Sequence, residues 1–261
     1  MWLNSHDRKW LNFKRPLTTA AKLEIKGQKD ALGSGKKIAL IATTIAPPAD
    51  LPILPLISAG LYKNSLYKVA EKINEINKNK IDDLAESFGQ KLKNYSNMDV
   101  LFGKLLIKSD AYINIEDHGV KVYSTKTKNK NFTDVIIQDG SKNFFDFSER
   151  TDLNHYFDKT ETFKENIVNI ANALNVDFIA VADVTVNHKG VSVLLRSCKY
   201  ILINFYIFDR QGKTVLSTLV SSKPPMDMGT AANDLTNYKQ VLELFDSETD
   251  RLFEDIFAGK K

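Results

Sequence analysis

The sequence has few of the residues that point to a particular chemistry. Cys198 is the only cysteine among 261 residues, which excludes an internal disulfide and a zinc site built from several thiolates. The four histidines lie far apart, and none has a second histidine or cysteine at the spacing of a metal site. No glycine-rich dinucleotide fingerprint and no nucleophile elbow are present. The sequence therefore predicts no catalytic residue, no metal and no cofactor.

One glycine-rich segment, residues 33–36, has the composition of a phosphate-binding loop but not its spacing. The Walker pattern requires a glycine five positions before the Gly-Lys pair, and Asp30 stands at that place. These glycines also precede a predicted strand, whereas a phosphate is held by backbone amides at the start of a helix. The segment therefore predicts a flexible joint and no nucleotide site.

Long apolar runs are interrupted, and the charge is mild. Residues 38–61 are mostly apolar, but prolines and Asp50 exclude a membrane-spanning helix. The net charge of +4 permits an anionic partner without requiring one. Residues 1–7 lack the apolar core of a signal peptide. Either the protein is cytoplasmic, or the chain is a mature or truncated form of a cell-envelope or periplasmic protein; the sequence leaves both open.

The apolar periodicity predicts strands that alternate with helices. Residues 38–42 are continuously apolar, which is typical of a strand covered on both faces. A 3.6-residue spacing runs through residues 61–95 and again through residues 167–174. Turns are predicted at 187–190 and 209–213. Strands are expected over 38–45, 100–107, 177–186, 199–208 and 214–220, and helices over 61–95 and 236–257.

This order of elements predicts an α/β fold with one mixed sheet and helices packed on it. The first strands of the sheet should be parallel, in a βαβ arrangement, and the late hairpins should be antiparallel. Residues 1–35 are interpreted as an N-terminal arm with a short strand at 23–25, and residues 36–258 as a single α/β domain. An insertion at about 109–160 interrupts the βα rhythm. It is expected to contain a small hairpin, with short strands at 112–115, 121–123 and 132–137.

Two segments resemble a known family. Residues 173–183 read ALNVDFIAVAD, a helix end that runs into a Val-Asp-apolar strand, and residues 209–213 read DRQGK at the turn of a late hairpin. Together with the element order, they resemble the α/β domain of bacterial envelope lipoproteins, which includes CsgG, LpoB and the N-terminal domain of TolB. The resemblance covers roughly residues 36–107 and 160–258. It implies a non-enzymatic assembly domain of a bacterial cell-envelope system, acting through a protein partner or further copies of itself.

Apolar residues in two segments are the candidates for a protein contact surface. A proline-rich loop at 51–57 is too apolar to remain in water, so it should pack on its own domain or on another chain. The aromatic end of the insertion, residues 144–147, is the second segment. The candidate interaction residues are Leu51, Ile53, Leu54, Leu56, Ile57, Phe144, Phe145 and Phe147.

Asp183 leads to an alternative hypothesis, a small-ligand site or an enzyme with a cleft at the strand ends. By alternation it shares a strand face with Ile179 and Val181, where an unpaired carboxylate is costly. Pairing with Lys199 or Arg196 on the next strand would make it structural. With Asn187 and His188 it would instead form a polar site.

A basic segment provides the third hypothesis, a nucleic-acid-binding protein. Residues 121–130 contain Lys121, Lys126, Lys128 and Lys130, with aromatic residues nearby. Basic residues interleaved with aromatics can hold single-stranded nucleic acid. Lysine runs more often face water, so nucleic acid is the less favoured partner.

Overall fold

The computed structural model describes residues 22–46, 61–116, 124–127, 130–134, 136–142, 144, 161–191, 197–222 and 234–258. The strands among them are β1 (Lys22–Gly27), β2 (Lys37–Ala46), β3 (Asp99–Leu101), β4 (Ser124–Thr127), β5 (Lys130–Asp134), β6 (Ile136–Ile137), β7 (Phe178–Val191), β8 (Ser197–Asp209) and β9 (Thr214–Ser221). The α-helices are α1 (Leu61–Ser96), α2 (Gly103–Ile107), α3 (Asp110–Ile113), α4 (Glu161–Leu174), α5 (Asp234–Glu243) and α6 (Phe245–Phe257).

Seven of these strands form one mixed sheet. Its order is β1-β9-β8-β7-β2-β3, and β6 pairs with the end of β2. Strand β2 is parallel to both of its neighbours, β3 and β7. The late strands β7, β8 and β9 form an antiparallel meander, and β1 adds to it antiparallel. The predicted fold class, α/β with a mixed sheet and packed helices, is confirmed.

The two faces of the sheet bury separate apolar clusters. On the first face, α1, α5 and α6 cover a cluster centred on Phe88. The Phe88 ring lies 5.1 Å from that of Phe205 and 4.9 Å from that of Phe253, centroid to centroid, in edge-on contacts. On the second face, α4 packs through Phe163, whose ring lies 5.0 Å from that of Phe208. Both long predicted helical segments therefore pack on the sheet, as expected.

Several predicted elements are confirmed and one is divided. The strands predicted at 38–45, 177–186, 199–208 and 214–220 are present, and β4 and β5 form the expected hairpin in the insertion. The turn at 209–213 is present: the Asp209 Oδ1 atom accepts hydrogen bonds from the backbone N–H groups of Gln211 and Lys213. The helix predicted at 236–257 is two helices, α5 and α6, with a tight turn at Leu244 whose N–H donates to the Val241 carbonyl.

The strand predicted over 100–107 is wrong beyond Leu101. At Gly103 the backbone turns into the left-handed region, with a φ of 60°. The following N–H, that of Lys104, donates a 2.9 Å hydrogen bond to the Glu86 carboxylate of α1. This turn starts helix α2, so the apolar residues that follow take helical instead of alternating positions.

Two further local predictions are wrong. Residues 112–115 were expected to form a strand, but Ser109 caps a helix there: its hydroxyl accepts from the Tyr112 N–H. Residues 187–190 were expected to form a turn, but they continue β7, with His188 opposite Lys199. An antiparallel ladder pairs backbone groups, so it continues through polar side chains. Residues 121–123 lie outside the described residues.

The expected short strand at 23–25 is present, and it belongs to the sheet. It is part of β1, an edge strand whose six residues pair with β9. The segment interpreted as an N-terminal arm thus supplies, in residues 22–27, the first strand of the sheet order.

Candidate functional site

Asp183 is buried in the middle of the sheet, where β7 lies between β2 and β8. Thr44 of β2 and Asn204 of β8 flank it in register. The residue is 3% exposed. The Thr44 hydroxyl donates a 2.6 Å hydrogen bond to Oδ1, and the Thr185 hydroxyl lies 3.4 Å from Oδ2. Hydroxyl groups of two strands therefore satisfy this carboxylate on an otherwise apolar face.

The predicted pairing of Asp183 with Lys199 is wrong. Lys199 stands opposite His188, while Asp183 stands opposite Asn204. Five residues along β8 separate these two places, about 17 Å, which is farther than a lysine side chain can span. Arg196 lies outside the described residues. Threonine hydroxyls of β2 and β7 are hydrogen-bond donors to this carboxylate.

The structure does not bring Asn187 and His188 to Asp183. Both lie farther along the same strand, four and five residues from the aspartate, which is about 14 and 17 Å for an extended chain. The carboxylate instead contacts the hydroxyl groups of Thr44 and Thr185. The polar site predicted from three residues is therefore reduced to one aspartate with hydroxyl partners.

This cluster favours a structural role for Asp183. A substrate would have to reach the Asp183 carboxylate, but this residue is buried and its donor Thr44 is fully buried. A buried carboxylate is stable only when its oxygens accept hydrogen bonds, and short bonds from hydroxyls to a carboxylate are strong. Within the described part of the chain, no group of three His, Cys, Asp or Glu residues could hold a metal ion.

Two large aliphatic side chains are exposed on the neighbouring helices α2 and α3. Leu105 is 89% exposed and Ile113 is 55% exposed. The residue after Leu105 and the one before Ile113, Leu106 and Tyr112, are buried in the second cluster. Adjacent positions on a helix point in different directions, so burying Leu106 and Tyr112 turns Leu105 and Ile113 towards solvent. We call Leu105 and Ile113 the exposed pair.

Hydrogen bonds hold the helix that carries Ile113. The Lys142 ammonium donates to the carbonyls of Ile113, at 2.6 Å, and of Ile115. The Tyr112 hydroxyl accepts a 2.9 Å hydrogen bond from the Lys142 N–H. A contact surface that is already ordered loses little conformational entropy when a partner covers it. The sequence did not reveal the exposed pair, because residues 100–107 and 112–115 were interpreted as strands.

The other candidate contact residues fall into two groups. Phe144 is buried, 2% exposed, with its ring 5.6 Å from that of Tyr112. Its prediction as an exposed contact residue is wrong, because α3 provides an apolar surface for it within the same chain. The remaining candidates, Leu51, Ile53, Leu54, Leu56, Ile57, Phe145 and Phe147, lie outside the described residues.

The basic segment is only partly described. Lys126 lies in β4 and Lys130 in β5, on the two arms of one hairpin. The register pairs Lys126 with Asn131 and Lys130 with Thr127. Lys121 and Lys128 lie outside the described residues. The hairpin therefore places two of the four lysines on neighbouring strands.

Polar contacts fasten α6 to α1 and to the sheet. The Lys91 ammonium lies 2.7 Å from the Asp250 carboxylate. Arg251 lies 2.7 Å from Glu248 and donates to the Ser221 carbonyl of β9. Burial raises the pKa of Glu248 above its ordinary value, and the Arg251 guanidinium opposes that shift. The Lys91–Asp250 pair joins α6 to α1, the Arg251 hydrogen bond joins α6 to β9, and the Arg251–Glu248 pair lies within α6.

Comparison with known proteins gives similarity in structure alone. No protein-family model matches the sequence, and a search of curated proteins gives no significant match. Among solved structures, two crystal forms of a PelC dodecamer from Paraburkholderia phytofirmans are similar, with TM-scores of 0.36 and 0.35. Each is 11% identical and covers 92% of this chain and 99% of its own. No helix among the described residues has an apolar stretch long enough to cross a membrane.

Proposed function

We propose that this chain is a non-enzymatic protein-interaction or assembly domain of a bacterial cell-envelope system. It would act by binding a protein partner or further copies of itself. The exposed pair, Leu105 and Ile113, carries the proposal. Support also comes from the element order and from the Val-Asp-apolar and Asp-to-Lys segments, which resemble envelope assembly proteins.

The exposed pair favours a partner for an energetic reason. Covering an exposed leucine or isoleucine contributes about 1.5–3 kcal/mol. Other apolar residues of the same stretch, Leu101 and Ile107, pack against the second cluster. Leu105, in contrast, is exposed, so its side chain is available for a contact with another protein.

The contacts of Asp183 support the non-enzymatic part of the proposal. Threonine hydroxyls of the sheet donate to its carboxylate, and Asp183 itself is 3% exposed. An enzyme that used Asp183 as a base would need the carboxylate within hydrogen-bond reach of a substrate.

Site-specific photo-cross-linking in the native host tests the proposal. A photoreactive amino acid at position 105 or 113 should give a covalent adduct with another protein chain. The same amino acid at Gln240, an exposed residue of α5, is the matched control and should give none. Adducts of equal yield at all three positions, or at none, would contradict the proposed surface.

A pair of variants measures the same surface by substitution. Leu105→Ser together with Ile113→Ser should weaken assembly and leave thermal stability nearly unchanged, because both side chains are exposed. Lys108→Ser, an exposed change in the same segment, should affect neither quantity. Cell fractionation tests the compartment separately: recovery in the cytosol alone would contradict the envelope part.

A further inference from the structure

A stripe of residues on α1 faces the segment that contains the exposed pair. Asp82, Glu86 and Gly89 follow one another at spacings of four and three residues, which places them on one side of the helix. Asp82 and Glu86 are half-buried, and Gly89 is buried. Each of them contacts a residue that precedes, starts or supports the short helices α2 and α3. We call these residues the α1 stripe.

Glu86 supplies a cap that α2 lacks in its own sequence. Phe102 is the N-cap residue of α2, and its side chain makes no capping hydrogen bond. The first N–H groups of a helix have no acceptor within the helix. One of them, that of Lys104, donates its 2.9 Å hydrogen bond to Glu86. The Glu86 carboxylate also lies so close to Gly103 that a side chain at position 103 would overlap it. The start of α2 is therefore held from α1.

Gly89 makes room for the residue that precedes α2. A methyl group at position 89 would overlap the Phe102 ring, which packs against the first cluster. Glycine lowers the stability of a helix interior, and Gly89 lies well inside the 36-residue helix α1. The close approach of Phe102 gives a physical reason for a glycine at this place.

Asp82 connects α1 to the segment that supports α3. Its carboxylate accepts a 3.1 Å hydrogen bond from the Asp139 N–H, just after β6. Farther along this segment, Lys142 donates to the Ile113 carbonyl at the end of α3. Asp82 also lies 3.8 Å from the Lys104 ammonium. The α1 stripe therefore contacts both the start of α2 and the segment that holds α3.

Helices α2 and α3 are too short to keep their geometry alone. They have five and four residues, and isolated helices shorter than about 12–15 residues are marginal in water. Their geometry therefore depends on contacts with the rest of the chain. Leu105 follows directly after Lys104, whose N–H is bound by Glu86. Release of that bond would let Leu105 adopt several positions, and a partner would then have to order it at an entropic cost.

We propose that Glu86 and Gly89 are positioning residues for the protein contact made by the exposed pair. Glu86 holds the start of α2 and Gly89 admits Phe102, so Leu105 is presented in one orientation. Neither positioning residue needs to touch the partner. Helix α1, which packs in the first cluster, thus also orders a surface on the second face. This inference rests on the proposed function, because it concerns how that surface is held.

Amide hydrogen exchange of the full chain tests the positioning itself. Glu86→Ala removes the acceptor of the Lys104 N–H, so exchange of residues 104–107 should accelerate about tenfold. Glu86→Gln keeps a side-chain oxygen at the same place and should restore slow exchange. Glu75→Ala, the same substitution at an exposed position of α1, is the matched control and should change nothing. Residues 245–257 of α6 should exchange alike in the wild type and every variant, which shows that the fold persists.

Photo-cross-linking from position 105 tests whether the positioning matters to the contact. The adduct yield should fall several-fold in Glu86→Ala, return in Glu86→Gln and stay unchanged in Glu75→Ala. Gly89→Ala should lower the yield as well, because its methyl group displaces the Phe102 ring. Thermal melting should show nearly wild-type stability for the Glu86 variants, so a general loss of stability would not produce this pattern.

Unchanged exchange of residues 104–107 in Glu86→Ala would overturn the proposal, as would equal adduct yields in the wild type and Glu86→Ala. Failure of Glu86→Gln to restore either quantity would overturn the role given to the hydrogen bond. Absence of any adduct in the wild type would instead contradict the proposed function, on which this inference rests.

Discussion

The two faces of the sheet differ in how completely helices cover them. On the first face, α1, α5 and α6 bury an aromatic cluster centred on Phe88. On the second, α4 is joined by α2 and α3, which have five and four residues. That face holds both the buried Asp183 and the exposed pair. Helices of ten residues or more cover the first face, whereas two short helices complete the cover of the second.

Truncation of one phenylalanine on each face should give the largest effects. Phe88→Ala should lower the free energy of unfolding by about 4 kcal/mol, because three rings surround Phe88 and a cavity would remain. Phe163→Ala on the second face, where Phe208 contacts that ring, should cost about 3 kcal/mol. Urea denaturation measures both. A larger loss of stability for Phe163→Ala than for Phe88→Ala would contradict the expectation that the first face is the more completely covered.

The sequence revealed the first face better than the second for a physical reason. Apolar periodicity reports local burial, and residues 61–95 and 38–45 carry it over many residues. The helix at 103–107 depends instead on the left-handed Gly103 and on Glu86, which lies on another element. Residues 100–107 form a mostly apolar run that is compatible with either a strand or a helix.

The partners of Asp183 were beyond sequence reasoning for a related reason. Its burial followed from the alternation with Ile179 and Val181. Its hydrogen-bond donor, Thr44, lies 139 residues earlier in the chain and adjoins it only through the parallel pairing of β2 and β7. The strand order decides such contacts, and a single sequence does not specify it. Lys199 lies on the neighbouring strand, but the register places Asn204 opposite Asp183.

Substitution of Asp183 tests whether this residue of the second face has a structural role or belongs to a binding site. Asp183→Ala should lower the free energy of unfolding by about 2 kcal/mol, since two threonine hydroxyls lose their acceptor inside the sheet. Asp183→Asn keeps a carbonyl oxygen as acceptor and should cost less. Urea denaturation and the assembly assay are measured together. Loss of assembly by a variant as stable as the wild type would show that Asp183 belongs to a binding site.

Glu248 is a mostly buried carboxylate on the first face, as Asp183 is on the second. We expect its substitution to have the smallest effect on stability. Its side chain is 12% exposed and lies 2.7 Å from Arg251. Burial raises its pKa, with Arg251 acting in the opposite direction. An unfolded glutamate has a pKa of about 4.3, so the folded state binds the proton more tightly. The contribution of this group to stability is therefore complete below that pH and is lost as pH rises through the folded pKa.

Replacing Glu248 by glutamine should remove this pH dependence. Relative to the wild type, Glu248→Gln should gain stability as pH rises from about 4 to 7. Urea denaturation across that range gives the difference. If the wild type instead gains on the variant as pH rises, the ion pair with Arg251 outweighs burial. The pair would then hold the Arg251 guanidinium where it donates to the Ser221 carbonyl of β9.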